Sequence, residues 1–298
     1  MPSSLPTNNS DNRLPAGRLY IVATPIGNKN DITLRALNIL RSVDVIAAED
    51  TRKTRRFLAQ HDVKGRFVSY HEHNEKEKSP KLIKQLIEGA SIALVSNAGT
   101  PTLSDPGYRL IKSALANDLP VTPIPGVSAA TAALSVGGLP TDSFTFIGFM
   151  PKKKGKRLTL LSNLAAESRT LIFYESPKRV VTLLEEMLKV LGDRSAVLAR
   201  EMTKLHEEFL RGRLTEIAEK LKRRPEIKGE CTLLVAGCEK AGYVDWEFVR
   251  SEIQTALRSK KEPISQFAKT FAKKYGLPKN KIYEEALKIQ EQITVKKI

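Results

Sequence analysis

The sequence is poor in cysteine and histidine, and each shortage excludes a class of protein. Two cysteines, Cys231 and Cys238, in 298 residues cannot build a disulfide framework, and the four histidines have no zinc-ligand spacing. We therefore expect free thiols in a reducing compartment and no metal site. The hypothesis of a small, disulfide-stapled secreted protein is excluded.

Long apolar runs are also missing. No stretch approaches the roughly 20 apolar residues that a membrane-spanning helix needs. The first sixteen residues are rich in Ser, Pro and Asn and lack the apolar centre of a signal peptide. This composition predicts a disordered tail over 1–16 and a cytoplasmic protein with no membrane partner.

Acidic residues are outnumbered: 33 Asp and Glu face 49 Lys and Arg, a formal net charge of +16. Such a charge attracts polyanions, and RNA, DNA and anionic membranes all fit it. The 41% of hydrophobic residues can form a sizeable core, and the length allows one large domain or two to three ordinary ones.

Short apolar runs alternate with helical patterns along most of the chain, which is typical of α/β layers. The runs predict strands at 19–23, 44–48, 92–96, 121–124, 144–147, 170–174, 196–199 and 232–236. We predict an N-terminal α/β domain over 17–126 and a second α/β domain over 127–240. Beyond them, the pattern predicts a helical, helix-turn-helix-like domain over 243–298, although a small capping domain of helices fits that pattern as well.

Three loops of Gly, Pro and small polar residues follow predicted strands, at 23–28, 96–107 and 123–130. Each alone fits a tight turn, but ligands of open α/β sheets bind at the carboxyl ends of strands, where glycine allows close backbone approach. The Rossmann fingerprint and the Gly-Lys-Ser/Thr phosphate loop are absent. We expect an adenine-containing ligand held by backbone and small side chains.

Several longer runs give the chain a family likeness. They are Thr24-Pro25-Ile26-Gly27-Asn28, Ala48-Glu49-Asp50-Thr51-Arg52, Ala98-Gly99-Thr100-Pro101, Ser104-Asp105-Pro106-Gly107, Pro125-Gly126-Val127-Ser128-Ala129, Tyr174-Glu175-Ser176-Pro177-Lys178-Arg179 and Arg200-Glu201-Met202-Thr203-Lys204. From residue 17 to residue 240 the sequence resembles the tetrapyrrole-methylase superfamily of S-adenosylmethionine-dependent methyltransferases. Within that superfamily it is most similar to the enzymes that 2′-O-methylate a cytidine of 16S rRNA in the small ribosomal subunit. One departure is Asn97, where the family usually has Asp.

The resemblance implies an α/β, two-domain tetrapyrrole-methylase-like fold with a small all-helical C-terminal domain, and a homodimer. It implies that S-adenosyl-L-methionine binds in the cleft between the two α/β domains. Carried over by position, the cofactor-binding residues are Gly99, Thr100, Pro101, Leu103, Ser104, Asp105, Ser128, Ala129, Met202, Glu230 and Thr232. A sulfonium cofactor suits carbonyls, a carboxylate and small apolar walls better than a basic phosphate cradle.

A basic segment follows the predicted strand at 144–147. Its cations, without an acid between them, are Lys152, Lys153, Lys154, Lys156 and Arg157. We interpret it as a flexible RNA-binding loop at the mouth of the cleft, since cations that neutralise phosphates release counterions. A solvated surface loop is the alternative.

Methylation of a ribose 2′-hydroxyl needs a group that accepts its proton or stabilises the alkoxide. The catalytic candidates follow two predicted strand ends: Glu49, Asp50, Arg52, Lys204 and Glu207. A salt bridge or a helix cap would explain each of them equally well. Two other functions remain open: C-methylation of a tetrapyrrole, and nucleic-acid binding without catalysis.

Overall fold

The computed structural model describes residues 17–238, six residues between 250 and 257, and residues 264–275 and 279–295. The tail expected over 1–16 lies outside the described residues, as does the turn of the expected helix-turn-helix at 276–278. No helix in the described parts of the chain has the length and hydropathy to cross a membrane.

The first half contains a five-stranded sheet in the order β3-β2-β4-β1-β5, with every pair parallel. Its strands are β1 (Leu19–Val22), β2 (Val45–Ala48), β3 (Phe67–Ser69), β4 (Ile92–Val95) and β5 (Val121–Ile124). β1, β2 and β4 are buried along their whole length. Burial on both faces explains why these strands are continuous apolar runs in the sequence.

Four helices cover the two faces of this sheet. α1 (Leu34–Ser42) and α2 (Thr51–Ala59) pack on one face through Leu37, Leu40 and Leu58. α3 (Glu75–Ile87) and α4 (Tyr108–Leu115) pack on the other through Leu86 and Leu110. The loops that form the site start at the carboxyl ends of β1, β4 and β5.

The second half contains a mixed sheet in the order β6-β7-β10-β8-β9. β6 (Phe144–Phe149) is parallel to β7 (Thr170–Glu175), whereas β8 (Ser195–Arg200), β9 (Glu208–Arg213) and β10 (Cys231–Val235) are in antiparallel pairs. One face packs against α6 (Lys154–Asn163), α7 (Val180–Leu191) and α8 (Leu214–Lys222). The other face packs against α5 (Ala129–Gly137), and Ile26 of the first half joins that cluster.

Two further helices follow, α9 (Ile264–Tyr275) and α10 (Lys279–Val295). They pack on each other through Phe267, Ala268, Ile282 and Ala286, with Ile253 in the same cluster. The α/β fold class with C-terminal helices is thus confirmed, while the helix-turn-helix assignment and the exact domain boundaries stay predictions.

The structure corrects the expectation of a flexible cationic loop. Lys154 begins α6, so residues 154–157 form a helical turn. Arg157 is buried and forms a bidentate pair with Glu186, with nitrogen–oxygen distances of 2.5 and 2.7 Å. Its charge is therefore committed inside the protein, and our assignment of Arg157 to the RNA-binding set is wrong. Lys152, Lys153, Lys154 and Lys156 are exposed.

Candidate functional site

The loops that follow β1, β4 and β5 are joined at the carboxyl edge of the first sheet. Thr24 and Gly99 form an antiparallel bridge, with N–O distances of 2.8 and 2.9 Å. The Thr100 hydroxyl donates to the Val127 carbonyl at 3.2 Å. These bonds fix the three glycine-rich and proline-rich loops relative to one another.

The loop at 96–107 holds an unusual backbone conformation. Thr102 and Ser104 have φ values of 75° and 68°, in the left-handed region that side chains other than glycine rarely adopt. Such conformations cost about 1–3 kcal/mol each and cluster at functional sites. At Gly107, with φ of 136°, a Cβ atom would lie 2.6 Å from Leu94 Cδ2, so this position requires glycine.

A turn of the second half packs against the first loop. The Asn28 amide donates to the Thr203 hydroxyl at 2.9 Å. A Cβ atom on Gly27 would lie 2.6 Å from that hydroxyl oxygen and 2.9 Å from the Met202 carbonyl oxygen. Gly27 therefore permits the close approach that brings the two halves together around a cleft.

The cleft has a volume of about 260 Å³. It is lined by Thr24, Pro25, Ile26, Gly27, Lys53, Thr54, Phe57, Ser96, Asn97, Ala98, Lys204 and Glu230. Lys204 and Glu230 are sequence-predicted site residues. The α2 side chains of Lys53, Thr54 and Phe57 were missed, although α2 begins within the matched run that ends at Arg52.

Lys204 is held by two carboxylates at the wall of the cleft. Its Nζ lies 2.8 Å from Glu201 Oε1 and 3.1 Å from Glu230 Oε2. Partial burial lowers the pKa of Lys204, but the hydrogen bonds to Glu201 and Glu230 outweigh it and raise the pKa above its usual value. Lys204 is thus a fixed cation. Its ammonium carries three protons, so one is left for a group in the cleft.

The Asp105 carboxyl group lies near the acidic side chains of Glu49 and Glu230. Burial, the negative charge of Glu49 and, more weakly, that of Glu230 raise its pKa to about 6, against the opposing effect of a hydrogen bond with Ser96. Because Asp105 and its acidic neighbours are negatively charged, a cation bound beside them would stabilise the charged form of Asp105. Within the described residues, no group of three or more His, Cys, Asp or Glu side chains is arranged to hold a metal ion.

The other catalytic candidates have different environments. Asp50 caps the N-terminus of α2, accepting from the amides of Arg52 at 2.9 Å and Lys53 at 3.1 Å, and these bonds lower the pKa of Asp50. Arg52 is exposed on α2. The Glu49 carboxylate accepts from the Asn97 amide at 3.3 Å, and Glu207 accepts from the Thr203 amide at 2.5 Å.

The remaining cofactor candidates lie around the same loops. Leu103 and Ser104 are exposed, whereas Pro101 is buried. Ser128 directly precedes α5. Two residues further on, the Ala130 amide donates to the Tyr174 hydroxyl at 3.1 Å. Met202 packs in the cluster shared by the two halves, and Thr232 is buried on β10.

Comparison with known proteins identifies the family. Residues 18–218 match the model of the family described as Tetrapyrrole (Corrin/Porphyrin) Methylases. The chain belongs to this family. It is 48% identical over 276 residues to a protein of Halalkalibacterium halodurans named ribosomal RNA small subunit methyltransferase I, covering 90% of this chain and 93% of that one. A protein of the same name from Micromonospora olivasterospora is 43% identical over 270 residues, covering 91% and 86%.

Solved structures of the family share the fold. Uroporphyrin-III C-methyltransferase of Thermus thermophilus, solved in complex with S-adenosylhomocysteine, superposes with a TM-score of 0.54 at 21% identity, covering 74% of this chain and 97% of that one. A cobalt precorrin-4 methyltransferase gives 0.54 at 18% identity, covering 75% and 97%. These matches support the α/β architecture.

Proposed function

We propose that the protein transfers the methyl group of S-adenosyl-L-methionine to the ribose 2′-oxygen of a cytidine in 16S rRNA. The observation that carries this proposal is the match, over about nine-tenths of both chains, to the Halalkalibacterium halodurans relative named as a methyltransferase of small-subunit rRNA. The cleft between the two halves, with its acids and its fixed cation, provides a site of the required chemistry.

The residues of the site fit a sulfonium cofactor. Asp105, whose pKa burial and neighbouring acids raise to about 6, offers a carboxylate that a nearby positive charge would stabilise. Gly99 has φ of 77°, a backbone conformation that favours glycine, and an added Cβ would be in ordinary contact with Ile26 Cγ2 at 3.5 Å and the Val127 carbonyl oxygen at 3.8 Å. The resemblance assigns the cofactor to Gly99, Thr100, Pro101, Leu103, Ser104, Asp105, Ser128, Ala129, Met202, Glu230 and Thr232. The bound cofactor supplies an electrophilic methyl group.

Side chains of the protein bind the ribose 2′-hydroxyl and accept its proton. Lys204 directs its third N–H to the 2′-oxygen and stabilises the negative charge that develops there. Glu49 accepts the proton, because its one bond to the Asn97 amide leaves its carboxylate the capacity for further donors. Asp50 and Glu207 hold the backbone instead. Fixing the hydroxyl in line with the methyl group contributes as much as any single base.

The alternatives have less support. A tetrapyrrole substrate gives no reason for the exposed Lys152, Lys153, Lys154 and Lys156, and the structural neighbours with such substrates are about 20% identical. A protein that binds nucleic acid without catalysis has no need for the strained loop or for the Lys204 carboxylate pair.

The experiment incubates the protein with methyl-labelled S-adenosylmethionine and either small ribosomal subunits or uroporphyrinogen III. The subunits come from the protein's own host after removal of its gene. We expect label in 16S rRNA at one ribose that resists alkaline cleavage on its 3′ side. Label in the porphyrinogen, or in neither substrate, contradicts the proposal.

We also propose a cytoplasmic homodimer. Cys231 and Cys238, both free thiols, suit a reducing compartment, and the family resemblance supports the dimer. Light scattering coupled to gel filtration measures the oligomeric state, and a mass near 33 kDa would contradict the dimer.

A further inference from the structure

Phe149, the last residue of β6, is a large aromatic side chain in an unusual position. It is 57% exposed, and its ring meets the ring of Tyr174 edge-on, with centroids 5.7 Å apart and planes at 63°. Tyr174 is its cross-strand neighbour on β7. One side of the Phe149 ring is thus supported by protein while the side chain remains largely accessible.

A β-bulge aims Phe149 at this face of the sheet. The register of β6 against β7 shifts between Phe146 and Gly148, and Gly148 has φ of 70°. Regular alternation would put Phe146 and Phe149 on opposite faces, yet both rings contact Tyr174. Met150 and Ile147 pack on the opposite face, in the cluster with α6 and α7. Bulges next to active sites re-aim side chains in this way.

Phe149 adjoins the two loops to which the cofactor is assigned. A Cβ atom on Gly148 would collide with the Ser104 hydroxyl, so the backbone before Phe149 touches the loop at 96–107. On the other side, the hydroxyl of Tyr174 accepts from the Ala130 amide at 3.1 Å, directly after Ser128 and Ala129. The exposed ring therefore lies next to both loops to which the cofactor is assigned.

Two arginines bind the backbone of the lysine-containing segment that follows Phe149. Arg157 donates to the carbonyls of Pro151 at 3.1 Å and Lys152 at 3.0 Å, and Arg179 donates to that of Met150 at 2.9 Å. Arg157 is itself fixed by Glu186. Exposed Lys152 and Lys153 thus lie on an anchored segment next to the exposed ring.

We propose that Phe149 is the stacking platform for the nucleobase of the target nucleotide, with Lys152 and Lys153 binding the adjacent phosphates. The inference rests on the proposed rRNA methylation and assigns a substrate contact within that site. An aromatic face beside fixed cations is the arrangement by which proteins hold unpaired nucleotides. A second copy of this chain is the weaker occupant, because the exposed lysines beside the ring would lie close to the same lysines of the copy, and like charges repel.

The test compares Phe149→Leu, which keeps an apolar side chain without a π-face, with Phe149→Trp, which keeps the π-face. Phe144→Leu is the matched control, since Phe144 is 41% exposed at the far end of the same strand. Methylation of small subunits gives kcat and KM, and calorimetry with S-adenosylhomocysteine gives the affinity of the cofactor site. We expect Phe149→Leu to lower kcat/KM by about ten- to a hundredfold, as loss of one stacked base does, with cofactor affinity unchanged. Phe149→Trp should retain clearly more activity than Phe149→Leu, and Phe144→Leu should stay within about twofold of the wild type.

Two results would overturn the inference: full activity of Phe149→Leu, or an equal loss of activity in Phe149→Trp. Either means that no stacking occurs, and full activity of Phe149→Leu together with a change of its oligomeric state means that a second copy covers the ring. Wild-type protein that does not methylate rRNA at all contradicts the proposed function instead, so the two failures are distinguishable.

Discussion

Lys204 combines a fixed position with an unused proton. Glu201 and Glu230 hold two of its three N–H groups and keep it charged. Because a fixed donor needs no reorganisation when charge develops on the substrate oxygen, its main effect is on the chemical step.

We predict that Lys204→Met lowers kcat by about 10²–10³-fold, the usual cost of one lost donor to a developing oxyanion. KM for small subunits should change little. Steady-state kinetics measures both, and Lys78→Met, at a partly exposed lysine of α3, is the control for loss of one charge. A raised KM at unchanged kcat would mean that Lys204 only binds substrate.

Asp105 makes cofactor binding depend on pH. Its pKa of about 6 means that the carboxylate gains its charge as pH rises through 6. We predict that wild-type affinity for S-adenosylmethionine rises across pH 5–7, whereas Asp105→Asn binds more weakly and without this dependence. Calorimetry at several pH values checks this.

The same pKa shift has the opposite effect on folding. When the pKa of a carboxyl group is higher in the folded state than in the unfolded state, the protein loses stability as pH rises from the unfolded-state pKa, near 4, to the folded-state pKa, about 6. Asp105→Asn should therefore melt at a higher temperature than the wild type at pH 7.5, but not at pH 4. A lower melting temperature at pH 7.5 would mean that the carboxylate has a partner that stabilises its charge.

At the scale of elements, α2 shows why some of the site escaped prediction. Its sequence, from Thr51 to Ala59, carries four cations and buries only Thr54 and Leu58. Two buried positions give no apolar period to recognise. α6 is similar, because one of its two buried positions holds Arg157, paired with Glu186. Edge strand β9, from Glu208 to Arg213, is too polar to be recognised as a strand.

Strands such as β1 and β4 were predicted because they are buried along their whole length and therefore form continuous apolar runs. The loops after them were predicted because glycine and proline mark them directly. Contacts between distant segments, such as Asn28 with Thr203 or Phe149 with Tyr174, depend on how the sheets are placed. No local pattern contains that information.

Asp50 provides a test of what α2 needs. As the N-cap of α2, it accepts from two amides. We predict that Asp50→Ala lowers the urea midpoint of unfolding, whereas Asp50→Asn, which keeps a side-chain oxygen that accepts from the amides, lowers it less. Urea denaturation measures this. If Asp50 instead accepted the substrate proton, Asp50→Asn would be as inactive as Asp50→Ala.

At the scale of the whole molecule, the net charge of +16 draws the protein to RNA, but the position of the charges decides productive binding. We predict that changing Lys152, Lys153, Lys154 and Lys156 to Ala weakens binding to 16S rRNA and flattens its salt dependence, by about 0.7–0.9 in slope for each lost phosphate contact. Cofactor affinity should stay the same. Filter binding between 50 and 300 mM salt measures the slope.

A charge-matched control changes Lys76, Lys81, Lys84 and Lys112 to Ala, on the exposed faces of α3 and α4. It should leave the salt slope closer to that of the wild type. Equal effects of the two quadruple variants would show that only total charge matters.

The contacts of Gly27 and Asn28 with the turn at Met202 and Thr203 have a consequence for unfolding. Ile26 lies in a core cluster made mostly by residues of the second half. If either sheet unfolds, the other loses the packing of this cluster and is less stable without it. We therefore expect the two halves to unfold as a single cooperative unit, with the walls of the cleft lost in the same transition as the sheets that carry them.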